Sequence, residues 1–407
     1  MDLEIRPVEE GEVDAWLTAI GNAFGEAISE EHRQLERETL ELDRTLAVFD
    51  GADIVGSAAA YSMELTVPGG TMPLAGVTGV AVVPTHRRRG VLTELMRRQL
   101  ADIRDRGEAL AGLWASEGSI YQRFGYGMST LHARFDIDRT RTAFARPLPP
   151  DPGRLRMVQR DEALRAMPAA YERVRPAVPG MLGRSPAWWK ALFSDLEEHR
   201  HGASPLFFVL HEAGGRVDGY LTYRVKSGWD EGVPSGEAVV HELVAEDPPA
   251  YAALWRFILN HDLVAKVSGW KRPADEPLLY MLAEPRRLEL GLHDAFWLRL
   301  VDVGAALTNR SYAADGAVVL QVADGLCPWN DGRFRLEAGT GQTTFGRTED
   351  EPDLLLDVSD LGAVYLGGTT FDLLHRAGRV QASSGAALRR ADDLFRTPRA
   401  PWCPHIF

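Results

Sequence analysis

Cysteine is nearly absent from this 407-residue chain, which contains only Cys327 and Cys403. Neither lies at the spacing of a metal-ligand or redox motif, so the sequence predicts a reducing compartment and no disulfide framework. Long apolar runs are missing too: no stretch approaches the roughly 18 apolar residues of a membrane-spanning helix, and the first residues are acidic where a secretory signal would be apolar. These absences predict a cytoplasmic protein with no membrane partner.

Positive charge is also scarce. The chain has 45 basic and 58 acidic residues and a formal net charge of -13, a balance that repels nucleic acid and favours cationic partners. The sequence contains no cluster of metal ligands, no G-x-G-x-x-G dinucleotide motif and no convincing Ser/His/Asp arrangement. We therefore expect neither a metal nor a nucleic-acid partner.

The composition that remains is that of a globular protein, with 45% hydrophobic and 25% charged residues. Because single cores stop growing near about 250 to 300 residues, we expect two or three domains. Residues 146–153 include four prolines, which prevent a regular helix and predict a linker. A softer boundary lies near residues 284–296, after which short strands and helices alternate in an α+β pattern.

Two segments of the chain are diverged copies of one plan. Each copy contains a β-hairpin, followed by an apolar strand that runs into a helix. The predicted hairpin, strand and helix are residues 46–56, 77–83 and 91–106 in the first copy, and residues 207–219, 239–245 and 249–260 in the second.

The clearest chemical signal is the basic turn Arg87-Arg88-Arg89-Gly90, which joins the strand and the helix of the first copy. Free amides at a helix N-terminus and the positive end of the helix dipole bind anions such as a pyrophosphate. The arginines add charge, and Gly90 lets the backbone approach the phosphates without a Cβ. The rival interpretation, a solvated basic run or a nucleic-acid patch, fits a strongly acidic chain poorly.

Downstream, an apolar strand at residues 109–115 precedes a short helix that carries Tyr121 between glycines. The order of strand, basic turn, helix, strand and tyrosine-bearing helix resembles the core of the GCN5-related N-acetyltransferase (GNAT) superfamily, and the basic turn fits its R-x-x-G element. The superfamily often has Gly or Ala where this chain has Leu92. Residues 86–92 and 115–127, with the terminal Phe407, resemble the enhanced intracellular survival (Eis) family, and this resemblance spans essentially the whole chain.

The resemblance implies a mixed α/β and α+β architecture: tandem GNAT folds, the second degenerate, followed by a sterol carrier protein-like domain. We expect the catalytic domain at residues 1–146, the degenerate copy at 154–290 and the C-terminal domain at 291–407. In the second copy the corresponding turn reads Glu246-Asp247-Pro248-Pro249. Its acids would repel a diphosphate, so this copy should not bind coenzyme A.

By resemblance, backbone groups of residues 80–82 should hold the pantetheine arm of acetyl-coenzyme A. The turn and helix start at residues 88–93 should hold the diphosphate, and Ser116 and Glu117 should complete the cofactor groove. Alternatively, the side chains of residues 80–82 are only part of the buried core. The two interpretations are compatible, because the expected cofactor contacts come from the backbone. The expected residues are Val80, Ala81, Val82, Arg88, Arg89, Gly90, Val91, Leu92, Thr93, Ser116 and Glu117.

Tyr121 matches the general acid of the family, which protonates the departing thiolate, and an ordinary phenol pKa near 10 suits that role. Packing against Phe124 is the structural alternative, and Tyr126 is the second candidate acid. The base implied by the family is the α-carboxylate of Phe407. Its ordinary pKa near about 3.5 is low for this task, so burial or neighbouring ammonium groups must assist it. His405 is the second candidate base.

Acidic residues between positions 26 and 43 alternate with arginines, which is typical of a solvated helix face. Among them only Glu26 is expected to contact substrate, because it lies where the family's substrate pocket carries a carboxylate. The resemblance implies N-acetylation of primary amines in polycationic small molecules such as aminoglycosides, hence antibiotic resistance, by direct attack of the amine on the thioester in a homohexamer. Two alternatives remain open: acetylation of protein or peptide lysine, and a non-enzymatic module that binds lipid and acetyl-coenzyme A.

Overall fold

A computed structural model describes residues 3–339 and 342–407 of the chain. The N-terminal part combines a sheet with four helices. Its strands are β1 (Glu4–Arg6), β2 (Thr45–Asp50), β3 (Asp53–Val67), β4 (Gly70–Val82), β5 (Leu110–Trp114) and β6 (Gly127–Met128), and its helices are α1 (Val13–Phe24), α2 (Glu30–Thr39), α3 (Val91–Asp105) and α4 (Gly118–Tyr121).

The middle part repeats the strand and helix plan with a different connection at the helix start. Its strands are β7 (Leu131–Asp138), β8 (Arg154–Val158), β9 (Phe207–Ala213), β10 (Arg216–Lys226), β11 (Trp229–Asp230), β12 (Val233–Pro234), β13 (Glu237–Ala245), β14 (Lys266–Pro273) and β15 (Gly291–Asp294), and its helices are α5 (Arg160–Val174), α6 (Pro186–Leu192), α7 (Pro248–Leu259) and α8 (Leu278–Met281).

The C-terminal part is the expected α+β alternation. Its strands are β16 (Phe296–Leu300), β17 (Gly316–Ala323), β18 (Gly332–Gly339), β19 (Gln342–Arg347), β20 (Leu354–Asp357) and β21 (Gln381–Ala382), and its helices are α9 (Val303–Thr308), α10 (Val358–Val364), α11 (Phe371–Arg376) and α12 (Gly385–Phe395).

These elements form two compact units. The first unit comprises Met1–Thr130, Ala295–Pro398 and Ile406–Phe407, and the second comprises Leu131–Asp294 and Arg399–His405. The first unit contains a seven-stranded sheet of order β1-β2-β3-β4-β5-β16-β6 and a five-stranded sheet of order β19-β18-β17-β20-β21. The second unit contains a seven-stranded sheet of order β15-β7-β14-β13-β10-β9-β8.

The internal repeat predicted from the sequence is present in both seven-stranded sheets. In each, an antiparallel hairpin (β2 with β3, β9 with β10) precedes a strand, a helix and a second strand that pairs in parallel with the first. The parallel pair is β4 with β5 in the first unit and β13 with β14 in the second. A parallel pair requires such a helical crossover, which explains why the helices α3 and α7 lie at equivalent places.

Helix α3 packs its apolar face on the first sheet. Val91, Leu95, Met96, Leu100 and Ile103 are buried. Leu92 is half-buried and packs at the edge of this core. The helix ends at a left-handed glycine, residue 107, as expected.

No helix within the two described stretches is long and apolar enough to span a bilayer. Both cysteines are buried thiols.

Candidate active site

The site begins where β4 and β5 separate. Their parallel pairing joins residues 74–76 to residues 110–112 and then stops. Gly79 lies at the separation with φ of +58°, opposite a register shift between β3 and β4. This β-bulge bends β4 away from β5. Beyond it, Val80, Ala81 and Val82 line a cavity of about 780 Å³.

The basic turn after β4 adopts an unusual backbone. Arg88 has φ of +62° and Gly90 has φ of +85°. No atom lies within 4 Å of a Cβ built on Gly90, so glycine is needed here for its left-handed conformation and not for space. The helix start has no side-chain cap. The amides of Val91, Leu92 and Thr93 therefore have no acceptor within the helix, which leaves a site for an anion.

The arginines of the turn have different roles. Arg87 joins the end of β4 to α1, because its Nε donates to the Val82 carbonyl at 3.1 Å and its Nη2 donates to the Ala23 carbonyl at 2.9 Å. Arg88 lines the cavity with an exposed guanidinium. Arg89 is exposed in the same turn but is not among the residues lining the cavity, so the structure separates it from the other predicted contacts.

The opposite wall comes from the segment after β5. Ser116 and Glu117 line the cavity, as does Tyr121 on α4. Arg123 and His86 also line it, and the sequence argument missed both. Arg123 follows the predicted acid by two residues and adds a third guanidinium to a lining that already includes Arg87 and Arg88, a signal that the sequence contained.

A second cavity of about 270 Å³ lies on the other side of Tyr121. It shares Phe24, Val80, Ser116 and Tyr121 with the first cavity, so Tyr121 faces both spaces. Its remaining walls are aromatic, aliphatic and acidic. They include Trp16, Leu17, Ile20, Glu26, Ile28, His32, Glu36, Tyr61, Leu113, Trp114 and Phe407.

Tyr121 is 6% exposed. Burial, with a smaller contribution from the Glu117 charge, raises its pKa to about 12. Tyr121 is therefore a weaker acid than the ordinary phenol, with a pKa near 10, that the sequence led us to expect. Tyr126, the second candidate, is fully buried and lines neither cavity, and its hydroxyl has no hydrogen-bond partner among the residues that the structure describes. The geometry therefore favours Tyr121 as the residue between the two spaces.

The acidic wall differs from the sequence expectation. Glu26 lines the second cavity and is exposed, as expected for a substrate contact. Glu36 on α2 lines it too and is half-buried, whereas the sequence had singled out only Glu26 from the acidic run. Helical periodicity shows which residues share a face, but only the position of β3 shows that this face of α2 is covered.

The chain terminus contributes to the second cavity through Phe407. Its ring packs edge-on to Tyr61 at 6.4 Å and to Phe296 at 6.3 Å between centroids. A Cβ on Gly76 would lie 3.1 Å from the ring, so glycine provides the space for it. The predicted docking of the apolar tail is thus present for its last residue.

The preceding tail residues are anchored in the second unit. The Trp402 amide donates to the Pro179 carbonyl at 2.8 Å, and its indole donates to the Lys271 carbonyl at 2.6 Å. His405 is buried against Trp188 with 4.8 Å between ring centroids. Burial, then the charges of Arg184 and Lys271, hold the His405 pKa well below its usual range. His405 lines neither cavity, which disfavours it as a base.

Comparisons with known proteins agree with this arrangement. Residues 4–129 match the family model of an acetyltransferase (GNAT) domain, residues 180–300 match a second model of that description, and residues 303–404 match a sterol carrier protein domain. The chain is 35% identical to the N-acetyltransferase Eis of Mycobacterium tuberculosis, with 92% of each chain covered. The chain belongs to the Eis family of GNAT N-acetyltransferases.

Two further relatives extend over the full length. A protein of Streptomyces avermitilis named as an N-acetyltransferase is 44% identical, with 100% of each chain covered. The crystal structure of Eis1 from Mycobacterium abscessus superposes with a TM-score of 0.85 at 37% identity, covering 99% of this chain and 100% of that one. The expected architecture of two GNAT folds and a sterol carrier protein-like domain is confirmed, and so is N-acetyltransferase activity. The predicted domain boundaries at residues 146, 154 and 291 stay predictions.

The GNAT fold implies the use of acetyl-coenzyme A, and the larger cavity fits such a cosubstrate. It joins residues 80–82 of β4, which lie beyond the pairing of β4 with β5, to the uncapped start of α3 and to Arg88. About 780 Å³ is a usual size for a cofactor site.

The second GNAT copy lacks these features. At the start of α7 the Asp247 carboxylate accepts a hydrogen bond from the Ala250 amide at 2.9 Å. Glu246 adds a second negative charge there and pairs with Arg173 and Arg216. A carboxylate of the chain thus occupies the anion position of this helix, which is consistent with a degenerate copy.

Proposed function

We propose that this Eis-family enzyme transfers the acetyl group of acetyl-coenzyme A to a primary amine of a polycationic small molecule, with aminoglycosides as the substrate class. The observation that carries the proposal is the wall of the second cavity. It combines the carboxylates of Glu26 and Glu36 with aromatic rings, including Trp16 and Trp114. Carboxylates and aromatic faces both attract ammonium groups.

In this proposal the amides of residues 91–93 and the Arg88 guanidinium hold the diphosphate of the cosubstrate. Backbone groups of residues 80–82 hold the pantetheine arm, and Ser116 and Glu117 close the groove. Arg89, outside the cavity lining, would act only through its charge. When bound, the cosubstrate supplies the acetyl group as a thioester.

Tyr121 is proposed to donate its phenolic proton to the thiolate sulfur as the amine displaces it. Its raised pKa of about 12 keeps the phenol protonated at neutral pH, so the proton is available for transfer in every turnover. The α-carboxylate of Phe407 is proposed to accept the proton of the substrate ammonium, directly or through water. A neighbouring cation on the substrate lowers the ammonium pKa and makes that transfer easier.

A coenzyme A release assay tests the proposal with a multi-amine aminoglycoside and with a lysine-containing peptide as acceptors. We expect turnover with the aminoglycoside and less with the peptide, because a single lysine brings only one ammonium group to a wall that carries the carboxylates of Glu26 and Glu36. Turnover with the peptide alone would favour protein acetylation instead. Since the chain is an N-acetyltransferase, the purely lipid-binding and acetyl-coenzyme A-sensing alternative is set aside.

One residue added after Phe407 tests the proposed base in the same assay. The extension moves the carboxylate by one residue, so we expect kcat to fall by about 100-fold or more, as for loss of a general base. Unchanged kcat would rule out the α-carboxylate. We also propose a homohexamer, as the family resemblance implies, and light scattering on the purified protein tests it.

A further inference from the structure

Glu36 is held more tightly than a surface carboxylate. It lies on α2 with 33% of its side chain exposed, and it faces the second cavity. Its Oε2 accepts a hydrogen bond from the Tyr61 hydroxyl at 3.1 Å, and its Oε1 lies 3.4 Å from His32 Nε2. The hydrogen bond from Tyr61 holds one oxygen, and the imidazole lies beside the other, so the carboxylate is oriented before any ligand arrives.

Tyr61 connects this carboxylate to the terminus. The ring is 4% exposed on β3 and contacts the Phe407 ring edge-on. Burial, then the Glu36 charge, raises the Tyr61 pKa above its ordinary value. The hydroxyl therefore remains a hydrogen-bond donor to Glu36 throughout the physiological pH range.

The position of Glu36 separates it from the other acids nearby. Glu30 and Glu31 on the same helix are exposed and line neither cavity. Glu26 also lines the second cavity, but it lies in the loop between α1 and α2 and is exposed. The cavity thus carries two side-chain carboxylates on different elements, of which Glu36 is the preorganised one.

A single reacting amine needs only one position beside Tyr121, where the two cavities meet. A carboxylate fixed elsewhere on the wall is suited to a second cation of the same substrate. Preorganised charges lose little of their attraction to reorganisation, so they discriminate between ligands better than mobile ones. Trp16 and Trp114 add aromatic surface near the same space.

We propose that Glu36, oriented by Tyr61 and His32, is a subsite for a second ammonium group, so that the enzyme selects acceptors with two or more amine cations. This inference rests on the proposed function, because it concerns the acceptor of the same reaction. It makes Glu36 a residue that determines specificity, and Tyr61 a residue that positions it.

The test compares two acceptors that differ by one cation, 1,5-diaminopentane and 1-aminopentane, in the coenzyme A release assay. For Glu36→Gln we expect KM for the diamine to rise by about 10-fold, while KM for the monoamine changes by less than about 2-fold. For Tyr61→Phe, which keeps the ring against Phe407 but removes the hydrogen bond, we expect an intermediate rise of about 3-fold for the diamine.

Glu31→Gln is the matched control, since it removes the same charge from the exposed face of α2, and it should leave both KM values unchanged. Glu36→Asp keeps the charge and should restore part of the diamine preference. Equal changes of KM for both acceptors, or none for either, would overturn the subsite while leaving acetyl transfer to amines intact. Absence of wild-type turnover with both acceptors and with the aminoglycoside would instead refute the proposed function, and the subsite with it.

Discussion

Tyr121 is the residue whose protonation state matters most for the proposed chemistry. Its phenol sits in a buried position beside a carboxylate, and both features disfavour the phenolate. A donor with a pKa of about 12 transfers its proton to a thiolate less readily than an ordinary phenol, but it stays protonated in alkaline solution.

We therefore predict that deprotonation of Tyr121 causes no loss of kcat up to pH of about 11, because the group must be protonated to act and titrates near 12. Tyr121→Phe should lower kcat by about 100-fold to 10000-fold. Tyr126→Phe is the control: its buried hydroxyl has no hydrogen-bond partner within the described part of the chain, so kcat should stay within about 3-fold. A Tyr121-dependent alkaline limb near pH 9 in the kcat profile would contradict the assignment.

Arg88 allows a second prediction at this scale. Arg88→Gln removes a guanidinium from the wall of the larger cavity, so KM for acetyl-coenzyme A should rise by about 10-fold, equivalent to one charge-assisted hydrogen bond. Arg97→Gln removes an equally charged side chain from the exposed surface of α3, where Arg97 pairs with Glu94. Initial-rate kinetics should show no change for Arg97→Gln; equal effects of both variants would indicate only a loss of net charge.

At the residue scale, the sequence predicts site residues best where they lie in one continuous segment of the chain. The basic turn before α3 was predicted from its own residues, and the resemblance added residues 80–82, residues 88–93 and Tyr121; all of them except Arg89 line a cavity. Glu36 and Tyr61 were not found, because they lie 25 positions apart on α2 and β3 and meet only after folding. No local pattern records such a contact.

At the scale of elements, helices α3 and α7 lie at equivalent places in the two GNAT copies but differ at their N-termini. Both helices follow a strand that pairs in parallel with a neighbour. Helix α3 starts at a left-handed glycine with no side-chain cap, whereas α7 starts with an aspartate cap and two prolines. The sequence shows the charge contrast between the two turns, because a helix start is decided within a few residues. That the second copy does not bind coenzyme A stays a prediction.

Calorimetric titration with coenzyme A should therefore give a stoichiometry of one per chain, because the start of α3 has no side-chain cap whereas a carboxylate already occupies the start of α7. Asp247→Ala should lower the free energy of unfolding by about 1 kcal/mol, the usual cost of losing an N-cap. It should not create a second site, since the Glu246 carboxylate remains. Two equivalents of coenzyme A bound per wild-type chain would contradict the account.

At the scale of the molecule, the first unit is assembled from distant segments of the chain. Strand β16, which follows the second unit in sequence, inserts between β5 and β6. Helix α10 packs so closely on β6 that a Cβ on Gly127 would lie 1.9 Å from the Ser359 carbonyl oxygen. Of these strands the sequence predicted only β5, at residues 109–115. It did not predict the pairing of β16 with β5 and β6, because pairing over such separations leaves no periodic signal.

Arg299 on β16 links this strand to the C-terminal part of the first unit through a buried ion pair. It is fully buried and pairs with Asp324 through Nη2 at 2.6 and 2.9 Å. Its guanidinium lies against Gly125, where a Cβ would come within 2.7 Å of it. Gly125 is four residues beyond Tyr121, so the C-terminal part of the first unit supports the loop that follows the proposed acid.

Arg299→Met should lower the free energy of unfolding by about 3 to 5 kcal/mol, because it leaves the Asp324 carboxylate buried without its cation. The double variant Arg299→Met with Asp324→Leu should recover much of that loss, since an apolar pair of similar volume leaves no buried charge. Urea unfolding followed by tryptophan fluorescence measures both. Similar losses in the single and the double variant would show that packing, and not charge, dominates at this position.

The account as a whole depends on the turn at residues 87–91 holding the diphosphate of acetyl-coenzyme A. A crystal structure of the enzyme grown with coenzyme A tests this most directly. We predict diphosphate oxygens within about 3 Å of the amide nitrogens of Val91, Leu92 and Thr93, with the thiol directed toward Tyr121. A diphosphate bound elsewhere, with these amides facing only solvent, would contradict it.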